Sequence, residues 1–285
     1  MRVVHDITAM ERLARELRAK GTLALVPTMG ALHEGHLSLV RLAAEKADAV
    51  VVSVFVNPTQ FGPHEDYERY PRDVERDAAL ADEAGADVVF APSVEAMYPP
   101  GFSTVVDVRD LTDRLCGSYR PGHFDGVTTV VAKLLGIVRP DLAVFGQKDG
   151  QQASVIERMV EDLHLRVEIV RAPTVRESDG VALSSRNRYL SEDERARARV
   201  LPGALRVARE QYERGERRPE ALLSEVRRRI EEEPDVRVQY VEAVDSRTLE
   251  PVEKLADGVM VAAAVFVGDT RLIDNVILGE AIDIG

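Results

Sequence analysis

The stretch L-A-L-V-P-T-M-G-A-L-H-E-G-H-L, at Leu23–Leu37, contains the signal that decides the fold. Its first four residues form an apolar run typical of a strand buried inside a sheet. Pro27 and Gly30 interrupt that run, and a helical pattern of apolar residues begins near His33. We therefore predict a strand, a glycine-containing turn and the start of a helix.

His33 and His36 are three residues apart, so a helix would place both imidazoles on one side of its first turn. The backbone N–H groups and the positive dipole end of that turn favour an anion. Gly35 removes a side chain where a ligand must approach the main chain closely. We interpret H-x-G-H directly after P-T-M-G as a mononucleotide-binding element, and it resembles the signature of the nucleotidyltransferase superfamily.

The histidine pair has two alternative interpretations, and the position after P-T-M-G makes both weaker than the nucleotide-binding one. The pair could be incidental on a surface helix, or it could bind zinc, which needs further ligands. The chain has one cysteine, Cys116, in no metal-like spacing, and its other histidines are scattered at His5, His64, His123 and His164. We therefore predict no protein-bound metal.

Length and composition restrict the class of protein. A chain of 285 residues with 45% hydrophobic and 30% charged residues is typical of a soluble protein with about two domains. It has no apolar run of the roughly 20 residues that span a bilayer, and no signal-peptide pattern. The single cysteine fits a reducing cytoplasm, and the net charge of −12 argues against a nucleic-acid partner. We expect a cytoplasmic protein without a membrane span.

Strand-like and helix-like segments alternate up to about Thr174, which predicts an α/β fold with a parallel, Rossmann-like sheet. Ligands of such sheets bind at the carboxyl ends of the strands, where three polar clusters occur, at Thr28–Gly30, Asn57–Gln60 and Gly146–Asp149. The further predicted strands are Val50–Val56, Ala86–Phe90, Leu142–Phe145 and Val167–Val170, and the predicted helices are Leu37–Lys46, Val74–Ala84, Val127–Val138 and Ser154–Leu163.

The pattern changes after Asn187, and we predict a smaller α+β domain. Ser191 with Glu194 is a capping box that begins a helix running towards Gly215 with a kink at Pro202. A second helix is predicted from Pro219 to near Pro234, followed by strands at Val236–Val244, Met260–Val267 and Arg271–Leu278, the last two joined as a hairpin. The predicted domains are 1–174 and 175–285, with Val175–Asn187 as a polar hinge.

Several polar residues outside the histidine pair are candidates for the chemistry. Lys148 is either a surface lysine or a phosphate contact, and Asp149 is either a helix N-cap or a ribose partner. Ser184, Ser185 and Arg186 lie in a loop, and hydroxyls with a guanidinium suit triphosphate recognition.

The remaining candidate side chains have less specific interpretations. Gln60 and Gln152 either make loop hydrogen bonds or hold substrate hydroxyls or a carboxylate without neutralising the latter. We expect Asp73 and Asp77 to form a solvated face, with water-mediated Mg²⁺ contact as the minor alternative. Tyr70 and Cys116 are expected to be packing residues.

Taken in order, the motifs resemble the pantothenate synthetase family, also called pantoate–β-alanine ligases. They extend over nearly the whole chain. The matching segments are P-T-M-G-A-L-H-E-G-H at Pro27–His36, V-F-V-N-P-T-Q-F at Val54–Phe61, Y-P-R-D at Tyr70–Asp73, A-M-Y-P at Ala96–Pro99, R-P-G-H-F-D-G-V at Arg120–Val127, F-G-Q-K-D-G-Q-Q at Phe145–Gln152, P-T-V-R-E-S-D-G at Pro173–Gly180, L-S-S-R-N at Leu183–Asn187 and T-R-L-I-D-N at Thr270–Asn275.

The resemblance implies a Rossmann-like N-terminal domain, a C-terminal lid domain and a homodimer. It implies that ATP and pantoate form pantoyl-adenylate and pyrophosphate, and that β-alanine then displaces AMP to give pantothenate. Mg²⁺ is expected from the ATP chemistry. Two positions depart from the family pattern: Gly150 replaces a frequent aromatic residue, and Leu183 a frequent methionine.

The resemblance also assigns roles to individual residues. His33, His36, Lys148 and Arg186 are implied as catalytic. The implied pantoate-binding residues are Met29, Gln60 and Gln152, and Asn57, Tyr70, Arg120 and His123 are weaker candidates. The implied ATP-binding residues are Met29, His33, His36, Gly146, Lys148, Asp149, Val175, Ser184, Ser185 and Arg186.

Three alternative functions remain at this point. A nucleotidyltransferase acting on a phosphate acceptor would need basic residues near Gln60, and that loop has none. A tRNA-ligase fragment would need a basic surface, which the acidic charge disfavours. A non-catalytic nucleotide sensor would keep His33 and His36 but would not need Gln60 and Gln152.

Overall fold

The computed structural model describes residues 1–63 and 65–280, so His64 lies outside the described residues. The chain forms two compact units. The N-terminal unit comprises Met1–Asp113, Gly117–Gly146 and Val155–Ala172, and the C-terminal unit comprises Arg114–Cys116, Gln147–Ser154 and the chain from Pro173 onward. The functional boundary between residues 174 and 175 stays a prediction.

The first part of the chain alternates strands with helices, as predicted. Its strands are β1 (Arg2–Val4), β2 (Leu23–Thr28), β3 (Ala49–Val54), β4 (Val88–Phe90), β5 (Leu142–Gly146) and β6 (Glu168–Ala172). Its helices are α1 (Ile7–Arg18), α2 (Glu34–Lys46), α3 (Val74–Glu83), α4 (Val94–Met97), α5 (Cys116–Tyr119), α6 (His123–Val138) and α7 (Gly150–Asp162), with short 3-10 turns at Pro58–Gln60 and Gln147–Asp149.

The six strands form one parallel sheet in the order β1-β4-β3-β2-β5-β6. The chain proceeds from β2 through β3 to β4 on one side, and then returns to place β5 on the other side of β2. This reversal leaves a crevice at the carboxyl ends of β2 and β5, which is where open α/β sheets bind ligands. The predicted α/β class is confirmed, whereas β1 and α1 are elements that the sequence patterns do not predict.

Alternate residues of the strands face opposite sides of the sheet, and both sides are covered. α2 packs on β2, β3 and β5, and α3 adds its alanine face to the same layer. α1 and α6 pack against each other and against β2. All six residues of β3 are buried, which explains why its sequence is a continuous apolar run rather than an alternating one.

From Pro173 to Glu280 the C-terminal unit combines helices with an antiparallel three-stranded sheet, as predicted, but it has three helices where the sequence predicts two. The elements are α8 (Glu192–Ala198), α9 (Val200–Glu213), α10 (Pro219–Glu231), β7 (Val236–Asp245), β8 (Val259–Val267) and β9 (Thr270–Ile277), preceded by a 3-10 turn at Ser185–Tyr189. Ser191 and Glu194 form the predicted capping box, and Gly268 has a left-handed φ of 55° in the hairpin turn.

The predicted kink at Pro202 is a break between α8 and α9 at Arg199, three residues earlier. Proline clashes with the carbonyl group four residues before it and donates no N–H group, so the helix ends at Ala198. Within the described part of the chain, no helix is long and apolar enough to cross a membrane.

Candidate functional site

The histidine pair lies where β2 turns into α2. His33 is the N-cap of α2 and His36 belongs to its first turn, with the two ring centroids 4.0 Å apart. The His33 N–H group donates to His36 Nδ1 at 3.4 Å. In its neutral form the His36 ring therefore carries its proton on Nε2, where it can donate to an anion. The predicted same-side arrangement of the two imidazoles is confirmed.

Gln60 is held by the chain on several sides. Its side-chain amide donates to Met29 Sδ at 3.1 Å and accepts from Asn57 Nδ2 at 3.0 Å. Its backbone carbonyl lies 2.8 Å from His123 Nδ1 and 3.3 Å from Arg120 Nη2. Two of the predicted pantoate-binding residues, Met29 and Gln60, are thus in direct contact.

Asn57 orients Gln60. It is 1% exposed, and its Nδ2 also donates to the carbonyl of Gly126 at 3.0 Å. Its Oδ1 accepts from Thr59 Oγ1 at 2.9 Å and from Tyr98 Oη at 2.8 Å. Since Nδ2 makes two donations and Oδ1 accepts twice within the protein, the amide of Asn57 is fully used, and the structure supports a scaffold role for it.

Gly126 allows α6 to pack closely against the turn that carries Gln60. A Cβ at position 126 would lie 2.5 Å from the carbonyl of Thr59 and 2.6 Å from the backbone nitrogen of Gln60. The close packing explains why the second glycine of R-P-G-H-F-D-G-V, Gly126, has no side chain. Burial raises the pKa of Tyr98, whose hydroxyl group supports the same turn.

Arg120 and His123 form a second support for Gln60. Arg120 binds Glu65 through two contacts of 2.6 Å, and its Nη1 lies 2.8 Å from His123 Nε2. Burial alone would raise the pKa of Glu65, but the hydrogen bonds and charge of Arg120 outweigh burial and lower it. The guanidinium is therefore a donor to His123 Nε2, which leaves His123 Nδ1–H to donate to the Gln60 carbonyl.

In the C-terminal unit, Lys148 and Asp149 occupy the 3-10 turn that follows directly on β5. Lys148 Nζ lies 3.2 Å from Asp149 Oδ1. Asn275 holds this turn from β9: its Nδ2 donates to the carbonyls of Gln147 and Lys148 at 2.9 and 3.0 Å. Asn275, the last residue of T-R-L-I-D-N, thus anchors the turn that carries Lys148.

The departure at Gly150 has a local explanation. A Cβ at this position would lie 2.7 Å from Met260 Sδ, 2.9 Å from Gln147 Nε2 and 3.2 Å from Asn275 Nδ2. The ends of these three side chains occupy the space that a larger residue at position 150 would need. Gln152 follows in the first turn of α7 and is half-buried.

The segment Pro173–Asn187, which we call the C-terminal loop, carries the remaining predicted ATP-binding residues. Arg176 pairs with Asp274 at 2.6 and 3.1 Å, and the Leu183 N–H group donates to the Val175 carbonyl at 3.0 Å. Ser184 caps the 3-10 turn by accepting from the Arg186 N–H group at 3.3 Å.

Ion pairs attach the middle of the C-terminal loop to α8. Arg195 donates to Asp179 at 2.7 and 2.8 Å and to Glu177 at 2.8 Å. The hydrogen bonds from Arg195 lower the pKa of Asp179. Asn187 Nδ2 donates to Glu177 Oε1 at 2.8 Å. The predicted polar hinge is therefore an ordered loop of the C-terminal unit, and its hinge role stays a prediction.

Asp77 corrects a sequence interpretation. The sequence pattern predicts a solvated carboxylate, but Asp77 is 0% exposed and accepts from the N–H groups of Ala31 and Leu32 at 2.8 Å each. Only Asp73 is exposed, and it caps α3. The helical spacing could have indicated this burial, because position 77 shares a face with the buried Ala81 and Ala84.

Cys116 and Tyr70 are buried, in agreement with their predicted packing roles. Cys116 Sγ lies 3.2 Å from both Tyr240 Oη and Arg271 Nη2. Sequence reasoning missed the supporting residues Glu65, Tyr98, Arg176 and Asp274, whose types are ordinary and whose partners are distant along the chain. Across the described ranges 1–63 and 65–280, no group of three or more His, Cys, Asp or Glu residues is arranged to hold a metal ion.

Each unit therefore presents hydrogen-bond donors and neutral amides near a strand end or an anchored loop. The N-terminal unit brings together Met29 with Gln60 and His33 with His36, and Gly146 ends the strand next to β2. The C-terminal unit brings together Lys148 with Asp149 and places Val175, Ser184, Ser185 and Arg186 on one loop. Such groups suit a phosphate-containing ligand and an uncharged polar one.

Comparisons with known proteins identify the family. A family model described as pantoate-beta-alanine ligase matches residues 2–277. A pantothenate synthetase from Thermotoga petrophila is 54% identical over 98% of this chain and 100% of its own length. The crystal structure of pantothenate synthetase from Thermus thermophilus superposes with a TM-score of 0.92 at 48% identity, covering 97% of this chain and 99% of that one. A pantoate-beta-alanine ligase from Francisella tularensis, solved with beta-gamma ATP and β-alanine, has a TM-score of 0.81 at 32% identity and covers 99% of both chains. The chain belongs to the pantoate–β-alanine ligase family.

Proposed function

We propose that this chain condenses pantoate with β-alanine to give pantothenate, with ATP as the energy source. In the first step the pantoate carboxylate attacks the α-phosphorus of ATP, forming pantoyl-adenylate and releasing pyrophosphate. In the second step the β-alanine amine attacks the acyl carbon and AMP leaves. The observation that carries this proposal is the family match over residues 2–277, which includes every motif quoted above.

The first step requires an anion to attack a polyanion, and negative charge develops on the oxygen that leaves with pyrophosphate. Preorganised donors stabilise that charge without reorganisation during the reaction. We assign this role to the imidazoles of His33 and His36 and to the cations of Lys148 and Arg186. The Nε2–H tautomer of His36 supports the assignment, because its proton lies on the nitrogen away from the loop.

The other predicted ATP contacts belong to the same proposal. Ser184 and Ser185 would donate to phosphate oxygens, and Gly146 and Asp149 would hold the ribose. Met29 and Val175 would line the nucleotide site.

Pantoate needs partners that do not reduce the nucleophilicity of its carboxylate. We assign Gln60 and Gln152 to this role, with Met29 lining the pocket. An amide offers both a donor and an acceptor without a net charge, whereas a lysine would pair with the carboxylate. The fixed orientation of Gln60 by Asn57 supports a recognition role, because an amide held in one orientation distinguishes hydroxyl from carboxylate oxygens.

Mg²⁺ belongs to the proposal as a partner of the ATP phosphates. We infer that the ion is delivered with the nucleotide, because ATP phosphates bind Mg²⁺ in such reactions. We also propose that residues 1–174 bind the substrates, that residues 175–285 act as a lid, and that the protein is a cytoplasmic homodimer. Light scattering after size exclusion tests the dimer.

Pantoate-dependent exchange between ATP and labelled pyrophosphate tests the reaction. We expect exchange with ATP, Mg²⁺ and pantoate in the absence of β-alanine, and pantothenate with AMP when β-alanine is added. A rapid burst of about one pyrophosphate per active site should precede steady turnover. Exchange that requires β-alanine, or no exchange at all, would contradict the two-step reaction. A transferase for phosphate acceptors and a nucleotide sensor both predict none.

A further inference from the structure

Asp77 is a fully buried carboxylate in a position that the proposed chemistry does not use directly. It lies in the first turn of α3, where the positive end of the helix dipole favours a negative charge. Its Oδ2 accepts from the Ala31 N–H group and its Oδ1 from the Leu32 N–H group, each at 2.8 Å. Both carboxylate oxygens thus hold the main chain of the loop between β2 and α2.

The backbone of this loop needs such support. Gly30 has a φ of 80° and Ala31 a φ of 51°, so two successive residues adopt the left-handed region. Glycine tolerates that region, but the Cβ of an alanine makes it unfavourable. The N–H groups of Ala31 and Leu32 point to one side of this turn and form a concavity that binds an anion. In this chain the anion is the Asp77 carboxylate.

The fit at Gly30 is close. A Cβ at position 30 would lie 2.7 Å from Asp77 Oδ2 and 2.9 Å from Val54 Cγ1. The glycine of P-T-M-G is therefore required both by its backbone conformation and by the nearness of Asp77. Thr28 completes the support, because its Oγ1 accepts from the Gly30 N–H group at 3.1 Å and donates to the Ser53 carbonyl at 2.6 Å.

Thr28 and Asp77 together bind three consecutive N–H groups, at residues 30 to 32, and His36 Nδ1 binds the fourth, at His33. The loop that starts after β2 and ends at the α2 N-cap is thus fixed at four of its five residues. Met29 begins this loop and His33 ends it. Any change in the left-handed turn would displace both residues relative to the sheet.

We propose that Asp77, assisted by Thr28, is a positioning residue for the reaction: it holds the loop from Met29 to His33 in the one conformation that aims the histidine pair at the phosphates. This inference rests on the proposed function. Asp77 itself touches no reacting atom, since its oxygens are occupied by the loop. Misplacement of reacting groups by about 1 Å lowers rates by about 100-fold.

The test compares Asp77→Asn with Asp73→Asn in the full-length protein. Asparagine at 77 keeps one acceptor oxygen but turns an NH₂ group towards the second N–H group. Asparagine at 73 removes the same charge from the same helix, but it still caps α3. We expect Asp77→Asn to slow the pyrophosphate burst about 10- to 100-fold while its amplitude stays near one per chain, and Asp73→Asn to leave the burst unchanged.

The burst separates positioning from folding. A merely structural role would reduce the amplitude, as fewer chains are active, and would leave the rate per active chain unchanged; that result would overturn the proposal. Equal burst rates in the two variants would also overturn it.

A second test asks whether the Ala31→Gly substitution relieves the rate loss caused by Asp77→Asn. In the Ala31→Gly background the left-handed conformation no longer opposes the loop, so the rate loss caused by Asp77→Asn should shrink several-fold. The same loss in both backgrounds would show that Asp77 does not act through this turn.

Two further measurements test the role of Asp77 independently of the burst in Asp77→Asn. If Asp77→Asn does not fold, Thr28→Val should slow the burst several-fold and Thr28→Ser should not; equal rates in these two variants would overturn the clamp. If the wild-type protein shows no burst, the proposed function fails. Hydrogen exchange at the Ala31 and Leu32 amides still tests the clamp, because Asp77→Asn must accelerate it.

Discussion

Two loops carry candidate ATP-binding residues, and the chain anchors them in different ways. The loop from Met29 to His33 is held by side chains that accept from four consecutive backbone N–H groups, with a fully buried carboxylate at the centre. The C-terminal loop is held by arginine–carboxylate pairs, chiefly Arg176 with Asp274 and Arg195 with Asp179.

The two sets of contacts differ in the conditions that would weaken them, namely salt and acidification. Bonds to main-chain N–H groups fix the backbone itself, and a buried carboxylate is little affected by salt. The ion pairs of the C-terminal loop use arginine side chains that are 26% exposed at Arg176 and 21% exposed at Arg195. They hold the loop at a few points and weaken as a carboxylate is protonated. We therefore expect the first loop to be a rigid part of the site and the C-terminal loop to be the more adaptable one, as a lid would require.

The largest expected effect is on the anchoring of the C-terminal loop. Asp274 has a side chain only 1% exposed, so Arg176→Met leaves a buried carboxylate without its guanidinium. We expect the free energy of unfolding to fall by about 3–5 kcal/mol in urea denaturation. Arg206→Met, which removes an exposed arginine paired with Glu210, serves as the control and should change stability far less. Adding Asp274→Asn to Arg176→Met should recover part of the loss. Equal costs for Arg176→Met and Arg206→Met would contradict this account.

The next prediction concerns kcat and takes one proposed phosphate contact from each unit. His36→Ala and Lys148→Ala should each lower kcat by about 10²–10³-fold, the usual consequence of removing one preorganised donor to developing charge. The melting temperatures should stay close to that of the wild type. Exposed residues of the same types give the controls, His164→Asn and Lys46→Ala, which should be neutral. Near-normal kcat in either active-site variant would remove that residue from the phosphate site.

A smaller effect should separate pantoate recognition from ATP recognition. Gln152→Leu leaves a substrate hydroxyl without a partner, which costs about 1–3 kcal/mol. We expect the KM for pantoate to rise about 5- to 150-fold and the KM for ATP to change little. Arg186→Ala should do the reverse. Steady-state kinetics with each substrate varied in turn is the measurement, and impaired ATP use with normal pantoate use in Gln152→Leu would refute the assignment.

The smallest effect concerns pH. The hydrogen bonds from Arg195 lower the pKa of Asp179 below its usual value, so the ionised form stabilises the folded state. That contribution is complete above the unfolded pKa of about 3.9 and is lost as pH falls through the folded pKa. Asp179→Asn should therefore cost about 1–2 kcal/mol at pH 7 and progressively less below about pH 4. Urea denaturation over this range tests the sign, with Asp193→Asn as an exposed control; a cost that grows on acidification would contradict it.

Much of the fold follows from local pattern in the sequence. Buried apolar runs such as Ala49–Val54 predict strands covered on both faces, because a parallel sheet excludes water from both sides. The capping box at Ser191 and the turn at Gly268 predict a helix start and a hairpin, because both depend on neighbouring residues alone. The ordered motifs likewise predict the family, and the comparisons confirm it.

The supports of the candidate site depend on tertiary structure. Arg176 and Asp274 lie 98 residues apart, and neither residue type indicates the pairing. At Gly150, which departs from the family pattern, the side chains of Met260 and Asn275 from distant strands fill the space beside the backbone.

The sequence by itself determined the alternation of strands and helices from β2 onward, the location of the histidine pair at a helix start and the family. Only the tertiary structure decided what Asp77 does. Its charged sequence neighbours Asp73, Glu75 and Arg76 are compatible with a solvated carboxylate. It becomes a ligand of the Ala31 and Leu32 N–H groups because α3 packs beside β3 and brings position 77 to a loop 45 residues earlier. The burial of a charge depends on partners that the folded chain supplies, and local sequence does not contain them.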